Sequence, residues 1–236
     1  MKKLTKILVF SILAVFLIGG TAMAYVYTYP DIYANWPNTS PITVVGDTHG
    51  TPLIGDATVN TSVIGNTEYL DSISINVSDR RVWDALFINT SDFNETDWED
   101  WDYIVYESDN GVGGTDPYSL DQMPVSTDGI YSVNDSYDYV YVDYSGGRVG
   151  HVNGIDGSDV TATTIGYSVS YTSDVLTYDF DSGGIALGDD WGIGYTPWCA
   201  NDVYLTPIPE PATMLLLGTG LLGLAVLGRK KLFKKS

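Results

Sequence analysis

The chain has 236 residues, with 30 acidic against 11 basic side chains and a net charge of −19. That balance excludes nucleic acid as a partner and disfavours anionic lipid, since both repel an acidic surface. Its one cysteine, Cys199, excludes an intramolecular disulfide, leaving a buried inert thiol or a bond between chains.

The chain opens with Lys2, Lys3 and Lys6, followed by an apolar run over residues 7–19. Ala22-Met23-Ala24 then supplies the small-x-small pattern that a signal peptidase cuts. Residues 1–24 therefore read as a secretory signal, with cleavage between Ala24 and Tyr25. Removing both hydrophobic ends sharpens the charge picture. Residues 25–208 hold 29 acidic residues against Arg80, Arg81 and Arg148, a net of −26, and no lysine. Residues 25–40, rich in Tyr, Pro and Asn, read as an extended leader.

Residues 41–206 read as β throughout. Over residues 70–77, Ile73, Ile75 and Val77 alternate with Ser72, Ser74 and Asn76, the period of a half-buried antiparallel strand. Residues 137–144, 165–171 and 176–180 alternate in the same way. Residues 81–88 and 101–106 are apolar runs suited to central strands. Turn chemistry separates them: Asp109-Asn110-Gly111, Asp128-Gly129, Asn153-Gly154, Asp156-Gly157 and Gly183-Gly184. No amphipathic helix of ten residues stands out. Short strands with dense turn signals predict an all-β domain, an antiparallel sandwich or jelly roll.

Candidate chemistry is sparse. Gly46-Asp47-Thr48-His49-Gly50 resembles the first metal motif of calcineurin-like metallophosphoesterases, but the later motifs are missing and His151 is the only other histidine. No Gly-x-Ser-x-Gly elbow accompanies the histidines, so a secreted hydrolase is the least favoured reading. The Asp-rich turns around Asp156 and Asp159, and around Asp179 and Asp181, offer clustered oxygens and are candidates for calcium. Their bland alternative is solvated turn residues. Trp98, just after an acidic stretch, is the candidate exposed ring for stacking on a sugar, while Trp101, Tyr103 and Tyr106 read as core. Six Asn-x-Ser/Thr triplets reflect composition.

The C-terminus carries the most information. Pro209-Glu210-Pro211 leads into residues 212–228, an uncharged apolar run at the short end for a membrane helix. Arg229, Lys230 and Lys231 then open a basic end, residues 229–236, which the positive-inside rule places in the cytoplasm. Prolines cannot sit inside a helix, so its start falls after Pro211.

Together these features, over residues 207–236, closely resemble the PEP-CTERM sorting signal of Gram-negative bacteria. The resemblance implies recognition by an exosortase, a membrane-embedded transpeptidase-like enzyme. It also implies transient anchoring in the inner membrane, then delivery to the cell surface or an exopolysaccharide matrix. Trp83-Asp84-Ala85-Leu86-Phe87-Ile88-Asn89 and Pro197-Trp198-Cys199-Ala200-Asn201-Asp202 also resemble the bodies of such proteins, which brings no defined activity. The expected function is a non-enzymatic surface or matrix protein. A carbohydrate-binding module, stabilised by calcium, is the alternative.

Overall fold

The computed structural model describes residues 23–31, 33, 36, 52–80, 83–94, 98–107, 125, 127–142, 150–197, 199–200 and 202–206. Among these, the regular structure is entirely β. The strands are β1 (Met23–Tyr29), β2 (Leu53–Ile64), β3 (Thr67–Ser78), β4 (Asp84–Asn89), β5 (Tyr103–Glu107), β6 (Gly129–Val133) and β7 (Tyr139–Tyr141). They continue as β8 (Val152–Ile155), β9 (Val160–Ala162), β10 (Tyr167–Thr172), β11 (Val175–Phe180), β12 (Ala186–Leu187), β13 (Gly192–Thr196) and β14 (Tyr204–Leu205). One sheet runs β1-β2-β3-β11-β10, with β12 also on β3. A second runs β14-β13-β4-β5-β6-β9, and β7 and β8 form a separate hairpin. Every pairing is antiparallel.

The two sheets close on a common core, so the domain is a sandwich as the pattern predicts. Period-2 alternation turns Ile73, Ile75 and Val77 of β3 inward, each fully buried. Leu176 and Tyr178 of β11 join them, facing Leu86 and Ile88 of β4 and Val105 of β5. The opposite face of the first sheet is polar. There Ser74 and Thr177 hydroxyls pair at 3.0 Å across β3 and β11, and Asn60 donates to Ser72 at 2.8 Å across β2 and β3. The β2–β3 turn begins on Gly65, whose φ of 69° disfavours any side chain.

The second sheet differs because it is buried on both faces. β4 is buried at every residue, which accounts for an apolar run without alternation. Its outward side chains, Ala85 and Phe87, belong to a second core with Trp36, Trp98, Trp101, Ile104 and Tyr106. Trp36 stacks on Trp98 with ring centres 4.4 Å apart and meets Phe87 edge-on at 5.3 Å. The β7–β8 hairpin lies over the same face. The Tyr106 hydroxyl accepts from the Ile155 amide at 2.7 Å and donates to its carbonyl at 2.9 Å, and Trp36 Nε1 donates to the Val152 carbonyl at 3.1 Å. β13 presents glycine to this layer. A Cβ on Gly192 would lie 2.2 Å from the Phe93 ring, and one on Gly194 would lie 2.9 Å from both Trp101 and Trp36.

Two expectations change. Residues 25–29 are not a leader apart from the core, because β1 pairs with β2 from Met23 opposite Val63 to Tyr29 opposite Ala57. Tyr25, Tyr27 and Tyr29 alternate with Val26 and Thr28, a strand signal that the surrounding prolines and asparagines obscured. Trp36, within residues 25–40, has no exposed surface. Asn153-Gly154 is not a turn but the middle of β8, buried under the second core. Segments 1–22 and 207–236, with the signal h-region, the sorting motif and the apolar tail, lie outside the described residues, as does Asp47-Thr48-His49.

Trp36→Ala removes the ring that ties the N-terminal segment to the outer core. We expect it to cost about 3–5 kcal/mol, measured as a shift in the denaturant midpoint of residues 25–206 at unchanged slope.

Candidate functional site

Three buried ionisable side chains, Arg80, Asp84 and Glu107, lie close together inside the sandwich. Arg80 follows the end of β3, and Asp84 opens β4 four residues later. Arg80 Nε lies 2.9 Å from Asp84 Oδ2, and its Nη2 lies 3.1 Å from Oδ1. Arg80 is 1% exposed and Asp84 is fully buried. The Tyr195 hydroxyl donates to the same carboxylate at 2.7 Å, and Tyr178 sits 3.5 Å away. Asp84 therefore has a paired charge and neutral donors, which is the condition for burying an ion. Its carboxylate in turn raises both phenol pKa values, after burial itself.

Directly opposite Asp84 in the β4–β5 ladder is Glu107, 5% exposed. Its only described hydrogen-bond donor is the Tyr167 hydroxyl, 3.1 Å from Oε2. Burial raises the Glu107 carboxyl from 4.5 to about 7, with the Asp128 charge adding to it; Tyr167 and Arg80 pull the other way. Both carboxyls are enclosed by side chains of the fold.

This sets a pH dependence. The Glu107 pKa is higher folded than unfolded, so between 4.5 and about 7 the fold keeps a proton that the unfolded chain releases. Its contribution is most favourable below that window and is lost as pH rises through it. Glu107→Gln keeps an acceptor for Tyr167 and cannot ionise. We expect the variant to match the parent near the acid end of the window and to exceed it by about 2–3 kcal/mol above the window, read from paired melts across pH.

The residues singled out by sequence are placed as follows. Asp156 accepts from the Ser158 amide at 2.8 Å and its hydroxyl at 2.7 Å, which hold its carboxyl below the ordinary range. Asp159 accepts from the Asp138 amide at 2.9 Å. Asp179 points outward on β11, opposite Ser72. Asp181 packs over Gly166, where an added Cβ would lie 2.1 Å from its Oδ2. The two turns are not brought together, and among the described residues no three His, Cys, Asp or Glu side chains form a metal-binding group. Trp98 is not exposed: it is 2% accessible, sealed between Trp36 and Tyr139. Its acidic neighbours suggested solvent, but the indole serves the second core. The exposed aromatic of this region is Tyr141, 53% accessible, at the end of the row Tyr137–Tyr139–Tyr141. His151 and Cys199 are buried.

Sequence reading missed Arg80, Asp84 and Glu107. The usable signal was Arg80 itself, one of three cations in residues 25–208, four residues before an acid inside an apolar run.

The folded domain ends on a clamp. Ile193 donates to Thr206 Oγ1 at 2.8 Å, and the Thr206 amide donates back to the Ile193 carbonyl at 2.9 Å. The next residue opens the tail. No curated protein and no solved structure matches the chain. Residues 207–231 match the PEP-CTERM protein-sorting motif. Such a motif marks an exported protein whose C-terminus is recognised by an exosortase, and this chain carries it directly behind an all-β sandwich.

Proposed function

We propose that the sandwich is the non-catalytic cargo of this sorting signal, a protein of the cell surface or exopolysaccharide matrix. The signal peptide exports it, residues 212–228 hold it in the inner membrane, and an exosortase cuts near Pro209–Glu210–Pro211. The observation that carries the reading is the position of the motif, which begins one residue beyond the Thr206 clamp. The domain is thus delivered whole, with no described strand spanning the cut. The burial of Asp84 and Glu107 among core side chains fits a non-catalytic role.

Processing can be read by mass spectrometry of the protein from its host. The mature chain should start at Tyr25 and lack the basic end. Glu210→Ala should accumulate an inner-membrane form that keeps residues 229–236. Surface protein still carrying those residues in a strain with active exosortase would sink the proposal.

A second reading is carbohydrate binding, favoured by the exposed Tyr141 ring at the end of its aromatic row. A flat apolar ring with hydrogen-bonding neighbours suits a sugar face. Tyr141→Ala should lower retention of the domain on the host's exopolysaccharide several-fold, with an unchanged melt. Equal retention by the variant argues against that surface.

A further inference from the structure

We propose that β1 is a self-association edge, through which two copies of the domain join their first sheets antiparallel across a two-fold axis. Strand length is the first ground. Among the described residues the second sheet ends on β14 and β9, of two and three residues, whereas the first ends on β1, of seven, five of which (Tyr25–Tyr29) remain after cleavage at Ala24. Short edges present few unpaired backbone groups; a seven-residue edge presents a template for another strand.

Composition is the second ground. Proteins blunt long edges with lysine, proline, inward charge or a bulge. β1 reads Met23-Ala24-Tyr25-Val26-Tyr27-Thr28-Tyr29, with no charge and no proline. Its ladder with β2 runs without a register break, while the β2–β3 ladder breaks twice. Exposed apolar side chains gather at the same corner. Of the six exposed large hydrophobics among the described residues, four are Met23, Tyr25, Val26 and Ile64, on β1 and the adjoining end of β2. Cleavage after Ala24 removes Met23 and leaves Tyr25–Tyr29, with no charged side chain, its new terminal ammonium on Tyr25, and Tyr25, Val26 and Ile64 still exposed.

The occupant follows from chemistry and direction. A row of alternating amide and carbonyl groups is complementary to another strand edge. With a net of −26 over residues 25–208, two copies repel over most of their surface; of the two long edges without charged side chains, β1 and β10, β1 is the one flanked by exposed apolar side chains. The other long edge, β10, runs the same way as β1, because three alternating strands separate them. A copy continuing the sheet from β10 to β1 would pair them parallel. A copy related by a two-fold axis pairs β1 with β1 antiparallel, the more stable ladder, and closes as a dimer.

Sedimentation velocity of residues 25–206, which hold both cores, tests this. The expected result is a concentration-dependent rise towards twice the single-domain mass, stronger at higher salt because screening relieves the repulsion. Val26→Lys places a charge on a side chain that is 67% exposed. It should hold the domain at single mass with an unchanged melt. Thr28→Lys is the second variant should the first fail to fold. Hydrogen exchange at high and low concentration supplies the register: amides of residues 25–29 should gain protection only in the associated form. Parent protein that stays at single mass into the high-micromolar range, or lysine variants that associate as the parent does, overturns the proposal. So does association that protects β10 and leaves β1 unchanged. Failure of the exosortase reading would show as unprocessed protein in the host and would leave these measurements unaffected.

Discussion

The sandwich depends on one constraint: its second sheet must be covered on both faces. β4 carries Leu86 and Ile88 on one side and Ala85 and Phe87 on the other, all without exposed surface. One sheet can cover only one side. The first sheet, with its apolar inner face and hydroxyl-rich outer face, covers the inner side. The outer side is roofed by elements that are not a sheet of comparable size: the Trp36 segment, the loop carrying Phe93 and Trp98, and the β7–β8 hairpin. Large rings do this work because each indole buries much area with few contacts to order. The glycines of β13 are the matching concession, since Gly192 and Gly194 leave the space that Phe93, Trp101 and Trp36 fill.

Charge imposes the second constraint. A domain with a net of −26 carries a self-repulsion that neutral burial must outweigh. Of its three cations, Arg80 is committed to the interior. There it neutralises Asp84, which would otherwise be a bare charge in a low-dielectric core. Glu107, directly across the ladder, meets the same problem in another way: burial, with the Asp128 charge adding to it, lets it hold its proton to about 7. Tyrosine hydroxyls complete the set, Tyr195 on Asp84 and Tyr167 on Glu107. With so little positive charge in the domain, phenols do much of the donating that lysine would do elsewhere.

These constraints explain which parts of the fold were legible in the sequence. Strands with one wet face, β3, β10 and β11, announced themselves by alternation, because the pattern records which side meets water. β4 and β5 were legible as apolar runs for the converse reason. The sorting tail was legible because membrane length and a terminal basic cluster are one-dimensional properties. What failed depended on long-range partners. β1 is hydrophobic on one face only through its tyrosines, and it sits among prolines that suggest a linker. Trp98 has a polar sequence neighbourhood but a spatial neighbour, Trp36, that lies 62 positions earlier in the numbering. Asn153-Gly154 has turn composition, yet both residues are buried in β8 against the second core. The Arg80–Asp84–Glu107 group was invisible for the same reason, since ladder register decides that residue 84 faces residue 107. In the recurrence of glycine at 192 and 194, with Ile193 between, there was a readable sign of close aromatic approach.

The join between domain and tail connects fold to sorting. Thr206 is fixed through two hydrogen bonds to Ile193, so the chain has no slack before the motif begins. Five residues, 207–211, separate it from the apolar run. Even fully extended they reach no further than ~18 Å. Three of the five are proline, a composition that favours an extended over a coiled chain. Under the proposed anchoring, a domain so tethered would lie within about two Debye lengths of the headgroups at physiological salt. An anionic leaflet at that distance would repel its acidic surface. Under the proposed processing, cutting at the Pro-Glu-Pro segment would remove the restraint, and the same surface charge would then favour departure from the membrane. On this argument the acidity of the domain and the shortness of its tether act together: one supplies the bias outward, and the other keeps the bias unexpressed until the exosortase has acted.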